Sequence, residues 1–233
     1  MSELAAARAE VLERMAAACA RAGREPEAAE LVAISKTVPV ERLRPALAAG
    51  YETLGENRVQ EAAAKVPLLA SASWHLVGHL QRNKAGRAVE LFDAIESVDS
   101  GALAQRLDRL VGERGTRAGG PLPIYLQVNV DADPAKAGFT PQALEHELEA
   151  ILDLPNLEVR GLMTVGLLTS GGEAARPTFV RLRQLSERLR AADGRLGPGL
   201  SMGMTDDYEV AIEEGSTLVR VGRALFGERP PLT

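Results

Sequence analysis

The sequence predicts an α/β fold, a single (β/α)8 TIM-type barrel with an extra N-terminal helix, and three observations carry that prediction. Short β-prone apolar runs alternate with helical patterns almost to the C-terminus, eight such runs can be counted, and the polar segments that follow them collect at what would be one mouth. An open doubly wound sheet is the runner-up, because it shares the βα alternation.

The opening helix, Ser2 to Ala22, is amphipathic, and its Glu3, Arg8, Glu10, Glu13 and Arg14 break up any signal-peptide core. The first strand is Leu31–Ile34, an apolar run bounded by Pro39 and followed by a helix over Val40–Ala49. Glu52–Leu54 leads through Gly55-Glu56-Asn57 into a helix over Arg58–Leu69. Trp74–Val77 leads through a polar segment, Gly78 to Lys84, into Lys84–Leu91. Ala94–Val98 precedes the helix Gly101–Arg114. Ile124–Val130 runs into Asp131 to Gly138 and then the helix Pro141–Leu152. Leu157–Leu162 precedes Ala174–Ala192, Leu200–Met202 precedes Asp206–Glu214, and Leu218–Val221 is the last strand. The Gly-Pro clusters at Gly119 to Pro121 and Gly197 to Gly199 are loop punctuation within this alternation, so residues 1–233 read as one domain.

The composition, 45% hydrophobic and 25% charged over 233 residues, is that of an ordinary globular chain. Aromatic residues at 3% argue against a base-stacking surface, and a net charge of -5 gives no general attraction to nucleic acid or anionic lipid. No run reaches transmembrane length. Cys19 is the only cysteine, which leaves no internal disulfide and no cysteine-based zinc cluster, so a cytoplasmic setting is expected. His75, His79 and His146 lack companions at ligand spacing, and no metal is expected.

The chemistry should sit where parallel strands end. Lys36 follows the first strand; an amine there can form a Schiff base once burial or a neighbouring cation favours its neutral form, whereas a lysine capping a strand end in solvent does nothing. Ser201, Gly203 and Thr205 follow or end the seventh strand, ahead of Asp206 and Asp207, where the unpaired N–H groups of a helix start would suit an anion or serve as a plain cap. Gly222 and Arg223 follow the eighth, and the loops after the last two barrel strands commonly bind phosphate. Asn57 and Asn83 could be helix N-caps and Asp131 and Asp133 ordinary turn residues.

These residues stand in six segments that together resemble the YggS/PROSC family of pyridoxal 5′-phosphate (PLP) binding proteins, also called PLP homeostasis proteins. The segments are Leu31 to Thr37, Leu54 to Glu61, Trp74 to Lys84, Arg160 to Thr164, Leu200 to Asp207 and Gly215 to Gly222, in the family's order. The resemblance implies a barrel similar to the N-terminal domain of alanine racemase, with Lys36 in Schiff-base linkage to PLP. It implies further that Ser201, Gly203, Thr205, Gly222 and Arg223 surround the phosphate, that Asn57 lies near the ring, and that Arg220 faces the pyridine nitrogen. An arginine there cannot accept a proton from the ring, so the cofactor becomes a poorer electron sink. Val38 stands where many members have a second lysine, which removes lysine-to-lysine transfer at that position, although Lys136 matches a lysine of related sequences. Arg223 stands where many have threonine, and could grip the phosphate or point away.

The implied function is a monomeric carrier without catalytic residues that holds PLP and releases it to apo-enzymes. The alternative is a PLP-dependent amino-acid racemase, which needs a second base opposite the lysine. None of Tyr51, Tyr125 and Tyr208 is an obvious second base, although a neighbouring subunit could supply one, and a chain of this length is filled by the barrel, leaving no room for the domain that supplies it in racemases. A barrel with a vestigial site is the third reading.

Overall fold

The computed structural model describes residues 2–116, 119–166 and 172–227. Its strands are β1 (Glu30–Ile34), β2 (Thr53–Glu56), β3 (Ser73–Leu76), β4 (Ala94–Val98), β5 (Leu122–Gln127), β6 (Leu157–Met163), β7 (Gly199–Met204) and β8 (Leu218–Val221). They close into a barrel in chain order, every neighbour parallel, with β8 returning to β1 through the pairs Val32 with Arg220 and Ala33 with Val221. Closure decides against the open doubly wound sheet. Around the barrel lie α1 (Glu3–Arg21), α2 (Val40–Ala48), α3 (Val59–Lys65), α4 (Ala85–Leu91), α5 (Gly101–Arg114), α6 (Pro141–Leu152), α7 (Gly172–Ala192), α8 (Tyr208–Glu213) and α9 (Arg223–Phe226).

Strand side chains alternate between two environments, as the two-residue period requires. Ala33, Leu54, Trp74, Leu76, Ile95, Leu126, Leu162 and Val219 belong to the large aliphatic core shared with the helices. Val32, Tyr125, Met163 and Leu218 form a separate, smaller cluster, against which Ile34, Val77 and Val165 pack. Tyr125 fills space that β6 and β7 leave free: a Cβ on Gly199 would stand 2.7 Å from its ring, and one on Gly161 would stand 1.9 Å from the Gly199 carbonyl oxygen. Burial pushes the Tyr125 phenol up to about 12, with the charge of Glu96 adding to the shift.

Most boundaries lie within two residues of the expectation, and the differences with a clear physical cause are these. β2 runs on through Gly55 and Glu56, because Gly55 pairs with Ile34 and Glu56 with Leu76, and the buried Glu56 carboxylate is met by Lys65. β5 stops at Gln127: Val128 bridges to Phe139, and the Asn129 side chain donates to the carbonyls of Asp133 and Lys136, which draws the chain into a compact loop. α8 begins at Tyr208, since the Asp207 carboxylate accepts from the Met204 N–H and closes a turn ahead of the helix. The short α9 has no counterpart in the sequence reading. The Arg58–Leu69 helix divides into α3 and a 3-10 turn over Val66–Leu68. Asn57 is not an N-cap, as Arg58 precedes α3, and Asn83 lies within a second 3-10 turn, Arg82–Lys84.

Candidate cofactor site

Lys36 lies in a turn, Ser35 to Val38, closed by the Val38 N–H donating to the Ser35 carbonyl at 3.0 Å. The turn leaves the end of β1, and barrel closure places that end beside the end of β8. Lys36 is half-buried and lines a cavity of about 210 Å³ together with Ile34, Thr37, Arg42, Gly222 and Arg223. Gly222 is half-buried, and a Cβ there would project to 3.4 Å from the Ile34 Cβ and 3.6 Å from its carbonyl oxygen.

Thr205 joins this corner from β7: its hydroxyl accepts from the Gly222 N–H at 3.3 Å. Arg223 pairs with the exposed Asp206 carboxylate, so its guanidinium bridges the segments that follow β7 and β8. Gly203 holds φ at 96°, a region disfavoured for other residues, and packs so closely under α8 that a Cβ would come within 2.9 Å of the Tyr208 Cα.

Arg220 is 4% exposed and sits inside the barrel. Its Nη2 donates to the Thr164 carbonyl at 2.7 Å, and its Nη1 donates to the Ser201 hydroxyl. Ser201 in turn donates to Glu96 Oε2 at 2.6 Å, and Glu96 Oε1 accepts from His75 Nδ1 at 2.7 Å. A carboxylate only accepts, so Nδ1 carries the proton. Burial works against the Glu96 charge, yet the hydrogen bond of His75, the charge of Arg220 and the Ser201 hydroxyl outweigh it and hold the carboxyl below the usual range. Burial lowers Arg220 from its ordinary value, opposed by Glu96 and Asp207. Ser201 therefore stands with Arg220 in an interior network, and its hydroxyl is engaged there, away from Gly222.

The remaining residues sit at other points of the rim. Asn57 is half-buried and lines a second cavity, of about 590 Å³, with Arg58, Gly78, His79 and Lys84. Its backbone is fixed by proximity: a Cβ on Gly78 would lie 2.4 Å from the Asn57 carbonyl oxygen. Lys136 donates to the carbonyls of Val165 and Gly166 at 3.1 and 2.9 Å. His79 faces Asp99 at 2.9 Å. Among the described residues no group of three or more His, Cys, Asp or Glu could hold a metal ion. No helix among them is long and apolar enough to cross a membrane.

Sequence reading missed Glu96 as the partner of His75 and Asp99 as the partner of His79, because the first lies in the next strand, β4, and the second just past its end. The available signal was a charge inside an otherwise apolar strand, Ala94-Ile95-Glu96-Ser97-Val98. It also missed a second buried ionic cluster behind the Lys36 turn, formed by Lys65 with Glu56 and Glu61.

What the corner offers chemically is an amine beside a glycine-lined backbone, a hydroxyl and a guanidinium, with a buried cation beneath. That donor set suits a ligand carrying both a carbonyl and a phosphate. Residues 9–230 match the family model described as alanine racemase, N-terminal domain. A pyridoxal phosphate homeostasis protein of Pseudomonas aeruginosa is 43% identical over 232 residues, spanning 98% of this chain and 97% of the relative. One from Aquifex aeolicus is 41% identical over 221 residues, spanning 94% and 95%. The solved structure of PipY from Synechococcus elongatus with PLP bound superposes with a TM-score of 0.81 at 40% identity, over 93% of this chain and 100% of that one. The chain belongs to the pyridoxal phosphate homeostasis proteins, a family built on the alanine racemase N-terminal domain.

Proposed function

We propose that this protein binds PLP, holds it as a Schiff base on Lys36 and releases it to apo-enzymes, acting as a carrier in PLP homeostasis. The observation that carries the reading is the meeting of Lys36 with Gly222 and Arg223 around one cavity at the seam between the first and last strands. The family membership and the PLP in the PipY structure support it.

Bound there, PLP would supply a reactive aldehyde. Lys36 forms a C=N bond to the aldehyde carbon with loss of one water, and addition of water reverses the step, so capture and release need no further catalyst. Thr205, Gly222 and Arg223 hold the phosphate, with Gly203 fixing the turn and Ser201 fixing Arg220. Asn57 approaches the ring from the end of β2, which flanks β1 on the side away from β8. Arg220 faces the ring nitrogen as a permanent cation, which keeps that nitrogen unprotonated and restrains carbanion chemistry. In this reading the chain is one domain and a cytoplasmic monomer; Leu68 is the single large hydrophobic side chain exposed among the described residues.

Borohydride reduction after incubation with PLP, followed by peptide mapping, tests the assignment. Label on Lys36 in the wild type and its loss in Lys36→Ala are expected. A label on another lysine, or none, would overturn it. Release is tested by mixing the loaded protein with an apo-enzyme and a competing PLP trap; failure of the apo-enzyme to gain activity faster than from free PLP would remove the carrier role.

A further inference from the structure

The peptide units on both sides of Lys36 are tied to one buried ammonium. Lys65, with its side chain 8% exposed, donates to the Ser35 carbonyl at 2.8 Å, to Glu56 Oε1 at 2.7 Å and to Glu61 Oε1 at 2.8 Å. An ammonium has three N–H donors, so these three acceptors use all of them. The Ser35 hydroxyl donates to the same Glu56 oxygen at 2.7 Å, and the Ser35 N–H donates to the Gly55 carbonyl at 2.9 Å. On the other side, the Thr37 N–H donates to Glu61 Oε1 at 2.5 Å.

That last contact bears on geometry. Thr37 has φ of 65°, a left-handed conformation that a β-branched residue adopts rarely and glycine adopts freely. Something must hold it, and the acceptor for its N–H is the carboxylate that Lys65 fixes one helical turn away on α3. Glu61 stays ionised for this: burial opposes its charge, but Lys65 and the Thr37 N–H outweigh that and keep its carboxyl below the usual range.

We propose that Lys65, acting through Glu61 and Glu56, is the positioning residue for Lys36: it locks the Ser35 to Val38 turn in the conformation that presents the Lys36 amine to the cavity shared with Gly222. The proposal rests on Lys36 being the Schiff-base residue. Lys65 itself touches no ligand. Its loss relaxes Thr37 out of the left-handed region and moves the amine, while the donors after β7 and β8 stay where they are.

The test separates capture by the amine from binding of the phosphate. PLP is compared with pyridoxamine 5′-phosphate, which keeps ring and phosphate but has no aldehyde. In Lys65→Met, PLP affinity and the fraction trapped on Lys36 by borohydride should fall roughly tenfold, the scale set by the left-handed penalty. Affinity for pyridoxamine 5′-phosphate should change by less than about threefold. Adding Thr37→Gly should recover most of the lost trapping, because glycine takes this φ without support. Should Lys65→Met not fold, Glu61→Ala removes the Thr37 acceptor from a partly exposed helix position and should give the same pattern. Parallel loss of both ligands, no loss of either, or no recovery with Thr37→Gly would each overturn the proposal. A wild type that traps no PLP on Lys36 overturns instead the assignment beneath it.

Discussion

Replacing Glu96 by glutamine keeps the shape of the barrel interior and removes one charge from it. Glu96 is fully buried, and Arg220, 4% exposed, has its Nη1 3.9 Å from Glu96 Oε2 with the Ser201 hydroxyl bonded to both. Breaking a buried ion pair from one side leaves the other charge uncompensated, at a cost of about 3–5 kcal/mol. Asp207 also acts on Arg220, which places the expectation for Glu96→Gln at the lower end, about 3 kcal/mol. With an m-value of about 2 kcal/mol per M, the urea midpoint falls by about 1.5 M. Removing both charges together, in Glu96→Gln with Arg220→Met, relieves the penalty. The double variant should then be more stable than the sum of the two singles by about 2 kcal/mol. The assay is equilibrium urea unfolding of wild type, both singles and the double, with m checked for constancy. Costs that add to within about 0.5 kcal/mol, or a Glu96→Gln loss below about 1 kcal/mol, would refute the view that this pair is coupled across the barrel.

Three further outcomes are expected. Because Tyr125 keeps its proton up to about 12 in the fold and would lose it near 10.0 unfolded, the folded state binds more protons between those values and stability declines as pH rises through them. By pH 12 the decline reaches about 2 kcal/mol, and urea titrations in alkali should show it shrink in Tyr125→Phe. Gly203→Ala puts a Cβ 2.6 Å from the Ala211 Cβ at a φ of 96°, so strain and overpacking together should remove roughly 3 kcal/mol and lower the thermal midpoint by roughly 10 °C; an unchanged melt would mean that α8 yields freely. Arg223→Thr breaks an exposed pair with Asp206 and should alter stability by less than about 1 kcal/mol, while losing a charge-assisted contact to the phosphate should weaken PLP binding about tenfold; an affinity unchanged to within about threefold would show that the guanidinium stays on Asp206.

The sequence by itself determined the elements and the order in which they come. Apolar runs such as Leu31–Ile34 and Leu218–Val221 are local signals, and a barrel follows once eight of them alternate with helices. Lys36, Gly222 and Arg223 could be named for the same reason: each stands just past such a run, and a strand end is a position that sequence marks. What only the tertiary structure decided are the pairings that closure creates. Arg220 meets Ser201, Thr164 and Glu96 because β4, β6, β7 and β8 turn these positions inward together, and no spacing along the chain encodes that. Lys65 shows the same limit from the other side of the sheet: in sequence it is one more lysine within a helix, and its burial against Glu56 depends on β2 continuing through Gly55 beneath α3. A buried charge is stable only where partners from separate segments surround it, and those partners are known only once the chain has closed on itself.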